Sequence, residues 1–510
     1  MIISLSVLVI TIIVSGTYAL YKTQLSKNIG VNTTTHGLAY YINYVKGTDI
    51  TAATLNPSTS YEGGASSDIE FWKKDDSYDI YGKIELTVNT IGTNLSNSPA
   101  LKYAVVNNGN VLKEGSLKGT TSGSKVTILK NLYLEQTKQI YTVYVWLDNS
   151  EELGNISNES LSISVDCTAS LQKEPTAADT IISLYTSAAK VTATNNSITY
   201  NTAPSVSLMN DRLGGTTTDL DGGNIRYYGA NPNNYIYFNC SDYSNQTSST
   251  CETWRIIGVF DGKLKLIKSE SIGAYSWDNK DTSTGAENDT GKNDWTTARL
   301  MKLLNPSNYY KVDSNDNNLG QSLYYNSASG KCYSGQNNAT VDCDFTSTGI
   351  KNAETRNMIA ETTYNLGGWN SNSVYSNQIY EYERGTTVYS GRPTTWKGKI
   401  ALAYPSDYGY AADLNQCKDK TLYDYDNRTC TSNNWMKAII TNNGSNTGWL
   451  LTPYSGHSCF AWSVYSGGVV YHGSNAYSAF GAVPVLSLSS ELGIESGGDG
   501  SSSKPYKLSA

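Results

Sequence analysis

His457 and Cys459 stand two positions apart, with Ser455 and Ser458 beside them. On a strand, positions i and i+2 share a face, so the pair has the types and the spacing for a thiol activated by an imidazole. That chemistry also needs an acid to orient the imidazole, and residues 454–480 contain no Asp or Glu. The pair therefore reads as non-catalytic. Glu381, Glu383 and Arg384 of YEYERG offer two acids beside a cation, but so charged a stretch ending in Gly reads as a solvated surface turn. Asp219, Asp221 and Asn224 bring oxygen ligands together in one loop, the kind of group that takes calcium. LDGGN and GGDGSSS lack the strand, G-x-x-x-x-G-K-[ST] and helix order of a phosphate loop and read as flexible turns. With 3 His in 510 residues, acid–base catalysis has little material. The expectation is a protein with no catalytic residues, no metal and no cofactor.

The eight cysteines carry a different chemistry. Six fall into close pairs, Cys240/Cys251, Cys332/Cys343 and Cys417/Cys430. These separations are wider than the C-x₂₋₄-C steps of zinc sites, and no His stands with them. Local disulfides that clip surface loops in an oxidising compartment fit better. Cys167 and Cys459 are left over, either paired with each other or free.

Those pairs must be held by a scaffold, and composition bounds it. The chain carries 38 Lys+Arg against 45 Asp+Glu, a net charge of −7, and only 16% charged residues. Without a basic field there is nothing to gather phosphates, so nucleic-acid binding is excluded. Polarity comes instead from Asn, Ser, Thr, 44 Gly and 40 Tyr, and 39% hydrophobic residues suffice for real cores. Residues 1–20 carry no charge, Lys22 being the first. Such a run reaches about 30 Å as a helix, the thickness of a bilayer core. Residues 1–21 are thus expected to be a signal peptide, with a cleavage-compatible Ala19, or a membrane-anchor helix. Either way the bulk of the chain is expected outside the cell, secreted or anchored at its surface.

From 36 to 168 short alternating segments follow one another: IYGKIELTVNT (80–90), LKYAVVNN (101–108), KVTILKNLYL (125–134), IYTVYVWLD (140–148) and SLSISVDC (160–167). Gly, Asn and Ser punctuate them as in an antiparallel sandwich. In TVYVWL, Val143, Val145 and Leu147 fall on one face and Tyr144 and Trp146 on the other. This region is expected to be a spacer domain, a β-sandwich of immunoglobulin-like shape. Residues 169–223 are expected to be a linker with a short helix, ADTIISLYTSAA (178–189), and residues 224–510 a second domain. The fold class expected is mainly β, with an α+β C-terminal domain. TYALYK followed by such a sandwich resembles exported matrix-fibre proteins of low-GC Gram-positive bacteria.

The second domain carries WRIIGVFDGKLKLIKSE (254–270), SWD (276–278), WTTARLMKLLN (295–305), WKGKIALAYPSDYGYA (396–411), WLLTP (449–453), AWSVYSGGVV (461–470), GAVPVLSL (481–488) and GGDGSSSKPYKL (497–508). In WTTARLMKLLN, Ala298, Leu300, Leu303 and Leu304 face a core, with Asn305 near the helix end. Trp254, Trp295, Trp396, Trp435 and Trp449 are assigned to core packing. The blocks, in this order, resemble a domain family of exported gut Firmicutes proteins whose fold is C-type-lectin-like, akin to formylglycine-generating enzymes and to the variable proteins of diversity-generating retroelements. The resemblance spans about residues 224–508. It implies that the terminal strands pair, with NYIYFN (234–239) against PYKL (505–508). Val483 stands where the family has Arg before Pro484. The copper-holding cysteine pair of the enzymes has no counterpart, since Cys459 has no neighbouring partner. Lectin calcium motifs of the E-P-N or Q-P-D type are absent as well.

The segment 454–480 lies between two such blocks and contains no charged residue among four Tyr, six Ser, four Gly and two His. That mix is close to an antibody paratope, where Tyr supplies rigid amphipathic area and Ser, Gly and Asn adapt their hydrogen bonds. In retroelement-diversified relatives, adenine mutagenesis converts Asn-type codons to Tyr, Ser, His, Gly, Cys, Phe, Ala or Asp. The resemblance thus implies a ligand-binding set of Tyr454, Ser455, His457, Ser458, Cys459, Phe460, Ser463, Tyr465, Tyr471, His472, Ser474, Asn475, Tyr477 and Ser478. Trp462, Val464, Gly468 and Val469 read as fixed framework between them.

The function expected is ligand binding at the cell surface: an adhesin that touches an unknown protein or glycan on another cell or on a phage or host surface. Sugar and protein ligands are not separated by these residues. Two other readings stay open. One is a pilin-like subunit of a surface filament, although pilin segments carry an early acidic residue that is missing here. The other is an oxidase related to the formylglycine-generating enzymes, which would need copper at Cys459.

Overall fold

A computed structural model describes residues 23–25, 38–52, 55–151, 153–156, 159–212, 223–243, 245–279, 290–310, 319–335, 339–442 and 444–509. The expected signal or anchor helix at 1–21 lies outside the described residues. Among them, no helix is long and apolar enough to cross a membrane. Strands account for 39% of the chain and helices for 16%, so the protein is mainly β. It divides into two compact units, 1–174 and 175–510.

The first unit is built from β1 (Ile42–Val45), β2 (Ile50–Ala52), β3 (Ala65–Lys73), β4 (Tyr81–Ile91), β5 (Leu101–Asn107), β6 (Asn110–Ser116), β7 (Lys125–Tyr133), β8 (Ile140–Asp148) and β9 (Leu161–Ser170). One sheet runs β9-β4-β7 with β2 also on β9, and the other runs β1-β3-β8-β5-β6. A single apolar core drawn from both sheets contains Ile84, Leu86 and Val88 of β4, Val143, Val145 and Leu147 of β8, and Ile163 and Val165 of β9. The period-2 alternation of each strand sets this. It carries Trp146 to the opposite face, where it is buried with Ala104 and Val106 against Tyr61. Cys167 is fully buried in this core as a free thiol.

Helix α1 (Ala177–Ser187) opens the second unit. Its start is fixed by Thr176, which accepts from the Asp179 backbone N–H while the Asp179 carboxylate accepts from the backbone N–H of Thr176, a reciprocal cap. Here the expected domain boundaries need correction. The described residues 175–212 of the expected linker are not a free linker: Ala177, Ala178, Ile181 and Tyr185 enter the second core, and β10 (Val191–Asn195), β11 (Ile198–Ala203) and β12 (Leu208–Asn210) enter its main sheet. An apolar helical stripe is what decides this, since it must be buried somewhere.

That main sheet continues through β13 (Ile225–Tyr227), β15 (Glu252–Phe260), β16 (Lys263–Lys268), β23 (Val485–Ser487) and β18 (Ile400–Ala401), with β14 (Tyr235–Phe238) on β15. β15 and β16 are joined through Asp261 and Gly262 at φ 48° and 69°, the left-handed pair that a tight hairpin requires. β14 meets the C-terminal segment: Tyr237 N–H donates to Tyr506 O and Tyr506 N–H to Tyr235 O, both at 2.9 Å. NYIYFN and PYKL are therefore neighbours. Helix α2 (Arg299–Leu304) ends at Asn305, which is fully buried. The Asn305 side chain accepts from the N–H groups of Lys399 and Ile400 and donates to the carbonyls of Met301 and Ile400. Trp254, Trp295, Trp396, Trp435 and Trp449 are all buried.

Cys240–Cys251, Cys332–Cys343 and Cys417–Cys430 are bonded. Three disulfides mark an oxidising, extracellular environment. Cys167 and Cys459 remain free and buried. A thiol titration should therefore show no fast-reacting cysteine in the folded protein and two per chain in denaturant without reductant. A count of zero or four in denaturant would contradict the pairing.

Candidate functional site

The segment 454–480 belongs to a second sheet, ordered β17-β22-β19-β20-β21. Its strands are β17 (Ala274–Ser276), β19 (Thr447–Pro453), β20 (Phe460–Tyr465), β21 (Val470–Asn475) and β22 (Ala479–Gly481). β19 is TGWLLTP, buried along its whole length. β20 crosses it in register, with Trp449 opposite Ser463, and β21 crosses β20 with Ser463 opposite Tyr471. Opposed residues share a face, so Trp449, Ser463 and Tyr471 line one side, and Tyr465, two beyond Ser463, joins them. Tyr465 and Tyr471 are exposed, 36% and 39%. Their rings meet edge to face at 5.5 Å and 87°. Tyr465 also reaches Phe480, which lies against Trp449 at 4.6 Å. The result is an aromatic corner rooted on a buried indole. Beneath it the Ser463 and Ser474 hydroxyls bond each other at 2.8 Å.

The loop before β20 forms a second group. His457 is exposed and stacks on Phe460 at 4.5 Å, and Phe460 neighbours Tyr454 at 6.0 Å. Tyr454 contacts His472, which in turn touches Trp462 and Tyr471. Burial lowers the His472 pKa below its ordinary value, so this imidazole is neutral at physiological pH. Of the fourteen expected contact residues, His457, Tyr465 and Tyr471 are exposed. Tyr454, Ser455, Phe460, His472, Asn475, Tyr477 and Ser478 are half-buried. Ser458, Cys459, Ser463 and Ser474 need correction, because they are buried and present no surface. Ser463 and Ser474 lie beneath the tyrosine rings of the same side: their hydroxyls bond each other, and Tyr465 Oη stands 3.4 Å from Ser474 Oγ. Trp462 and Val464 are buried, as framework residues should be.

Cys459 Sγ lies 3.2 Å from His457 Nδ1 and 3.9 Å from Asn475 Oδ1. The pair predicted by spacing does meet. Burial raises the thiol pKa above its ordinary value, the opposite of the shift that makes a thiolate nucleophile. Among the described residues no carboxylate bonds to either side chain of the pair, and no group of three or more His/Cys/Asp/Glu could hold a metal ion.

Sequence reasoning missed what holds the loop. Asn293 is fully buried; its N–H donates to Ser458 O, and its side-chain amide donates to the carbonyls of Tyr454, His457 and Phe460 at 2.8–2.9 Å. Arg392 bonds Asn293 Oδ1 and Ser458 O, both at 3.0 Å. Nothing in the spacing of either residue singles it out.

A buried charge cluster was missed as well. It ties β13 and β16 to helix α4 (Pro405–Tyr410). Arg226 pairs with Asp211 at 2.5 Å and with Asp407 at 3.0 Å, and Lys265 pairs with Asp407. Phe260, Tyr380 and Tyr410 surround the Arg226 guanidinium. The YEYERG turn also needs correction. Helix α3 (Ser376–Glu383) turns Glu381 outward but buries Glu383 completely, where it accepts from Ser406 N–H and Oγ–H. Of the calcium candidates, Asp219 and Asp221 lie outside the described residues, and Asn224 donates to Asp211 and Tyr380.

No family model matches the chain, and no curated protein matches it. Among solved structures, the HCR/D F1240A mutant is similar at 13% identity over 51% of this chain and 76% of that chain, with a TM-score of 0.15. The binding domain of Botulinum Neurotoxin DC in complex with SialylT is similar at 9% identity over 52% and 76%, with a TM-score of 0.14. At such TM-scores the likeness carries no argument.

Burial raises Glu383 to about 7, against an ordinary value of 4.5. The folded chain then holds a proton at this site that the unfolded chain has lost between pH 4.5 and 7, so this residue's contribution to stability falls as pH rises through that window. Urea unfolding should show a higher midpoint at pH 5.5 than at pH 8, and Glu383→Gln should flatten the difference. An unchanged slope in that variant would assign the dependence to other groups.

Proposed function

We propose that this is an exported cell-surface protein that recognises a ligand through the Tyr465–Tyr471 corner and the adjoining 454–460 loop. In this reading the first unit is an immunoglobulin-like spacer and the second a C-type-lectin-like recognition domain. The neighbouring β14 and Tyr506 segments support the lectin-type assignment, as does the block order in the sequence.

The observation that carries the reading is the corner itself. Two large rings are exposed on a sheet whose other positions are buried or half-buried, in a stretch with no charge. Tyr at a contact offers rigid area with two rotatable angles and a hydroxyl, and its exposure costs less if a partner covers it. Bonded cysteines agree with export. The raised Cys459 thiol favours recognition over catalysis. We extend the proposal to diversification: the adenine-accessible residue types at 454–478 suit a segment rewritten by a retroelement, with Trp462 and Val464 kept as framework. Membrane tethering through residues 1–21 belongs to the same proposal.

Purified protein should bind one or more members of a panel of neutral glycans, intact bacterial cells and epithelial cells. The double variant Tyr465→Ala/Tyr471→Ala should lose at least about tenfold in affinity, a loss of roughly 1.4 kcal/mol, while its melting temperature stays unchanged. Equal binding by the variant would remove the corner from the site. Beside the gene, a near-copy of the codons for 454–480 with adenines at contact positions, together with a reverse transcriptase, should be present if the segment is diversified.

A further inference from the structure

The 454–460 loop leaves β19 at Pro453 and returns as β20 at Phe460. A turn of this length ordinarily owes its shape to its own residues, through glycines at left-handed positions or side chains bonded back to the chain. This one is held from outside. Asn293 and Arg392 stand far from it in sequence, and they donate to its main chain at four carbonyls, those of Tyr454, His457, Ser458 and Phe460. The loop is closed by further main-chain bonds, from Tyr454 N–H to Phe460 O and from Ala476 N–H to Cys459 O. Asn293 is wholly buried and Arg392 nearly so. Arg392 holds Asn293 Oδ1, which fixes the amide with its two protons toward three carbonyls.

We infer that Asn293 and Arg392 are positioning residues that make the course of the 454–460 loop independent of the half-buried Ser455 and exposed His457 side chains, so that both can take other identities without moving the backbone. The inference rests on reading this segment as the recognition surface, and it adds how that surface changes specificity while its frame stays fixed. A carbonyl does not depend on its own residue's side chain, so a frame built on carbonyls tolerates substitution where a frame built on side chains does not. The loop's orphan acceptors would otherwise be left unpaired beside the core, at a cost that disfavours this conformation.

The test uses the full chain and no ligand, so its failure is separate from failure of the recognition reading, which the binding experiment judges. In one arm, Ser455 and His457 are randomised together. Most members should fold with melting temperatures within about 2 °C of the parent, and amide exchange across 453–461 should be unchanged. In the other arm, Asn293→Asp, Asn293→Ala and Arg392→Lys are compared. Each should speed exchange across 453–461 by about tenfold or more while β15 and β16 keep their protection. A library in which most members unfold or change loop exchange would overturn the inference, as would anchor variants that fold with loop exchange unaltered. If no anchor variant folds, the library arm alone decides.

Discussion

Main-chain carbonyls that turn inward must find donors, and at the 454–460 loop three of them are met by one buried asparagine amide. Asn293 answers three carbonyls with its side chain and a fourth with its own N–H. Arg392 keeps that amide from flipping by bonding its oxygen. Because the polar needs of the 454–460 loop are met from below, its upper side is free to carry rings. His457 lies on Phe460, Phe460 on Tyr454, and Tyr454 on His472. The rigidity that lets tyrosine bind at low entropic cost is thus supplied by groups that never reach the surface.

A second constraint operates deeper. Arg226, Lys265, Asp211 and Asp407 are buried together, and removing charge from water is costly unless each group is paired. Here each is paired, and Asp407 also accepts from Tyr404 N–H at the start of α4. Aromatic faces around Arg226 add attraction in a region where the charge is desolvated. Apolar residues of the same volume often stabilise as much as such a cluster; its ion pairs tie β13 and β16 to α4. Glu383 is buried completely at its margin, and that desolvation, which the attraction of Arg384 does not offset, is why its proton is held so tightly.

Much of the architecture could be read from the chain. The strands of the first unit follow their alternation, and TVYVWL shows it directly, with Val143, Val145 and Leu147 inward. Three disulfides follow the spacing of six cysteines, and the Asp261–Gly262 turn follows its dipeptide. The segment 454–480 was visible as a neutral, tyrosine-rich stretch, but nothing in it marked Tyr465 and Tyr471 as the exposed tyrosines. What composition could not do was separate buried from accessible serines, because Ser463 and Ser474 are covered by the tyrosines around them while Ser455 lies in the loop between two strands. Glu383 was misread for a related reason: a local run of charge carries no information about which carboxylate a distant helix, α4, will cover. Asn293 and Arg392 left no local signal, since their partners lie about 65 to 165 positions away in the chain and a contact of that range is a property of the fold.

The central claim is that one neutral aromatic surface, held by buried donors, is where this protein meets its partner. Hydroxyl-radical footprinting of the full chain, with and without a binder recovered from the panel, tests it most directly. The account predicts protection concentrated on Tyr465, Tyr471, Phe460, Tyr454 and His457, with the first unit unaffected. Protection confined to residues 38–174, or spread over the second unit while those five rings stay reactive, would contradict it.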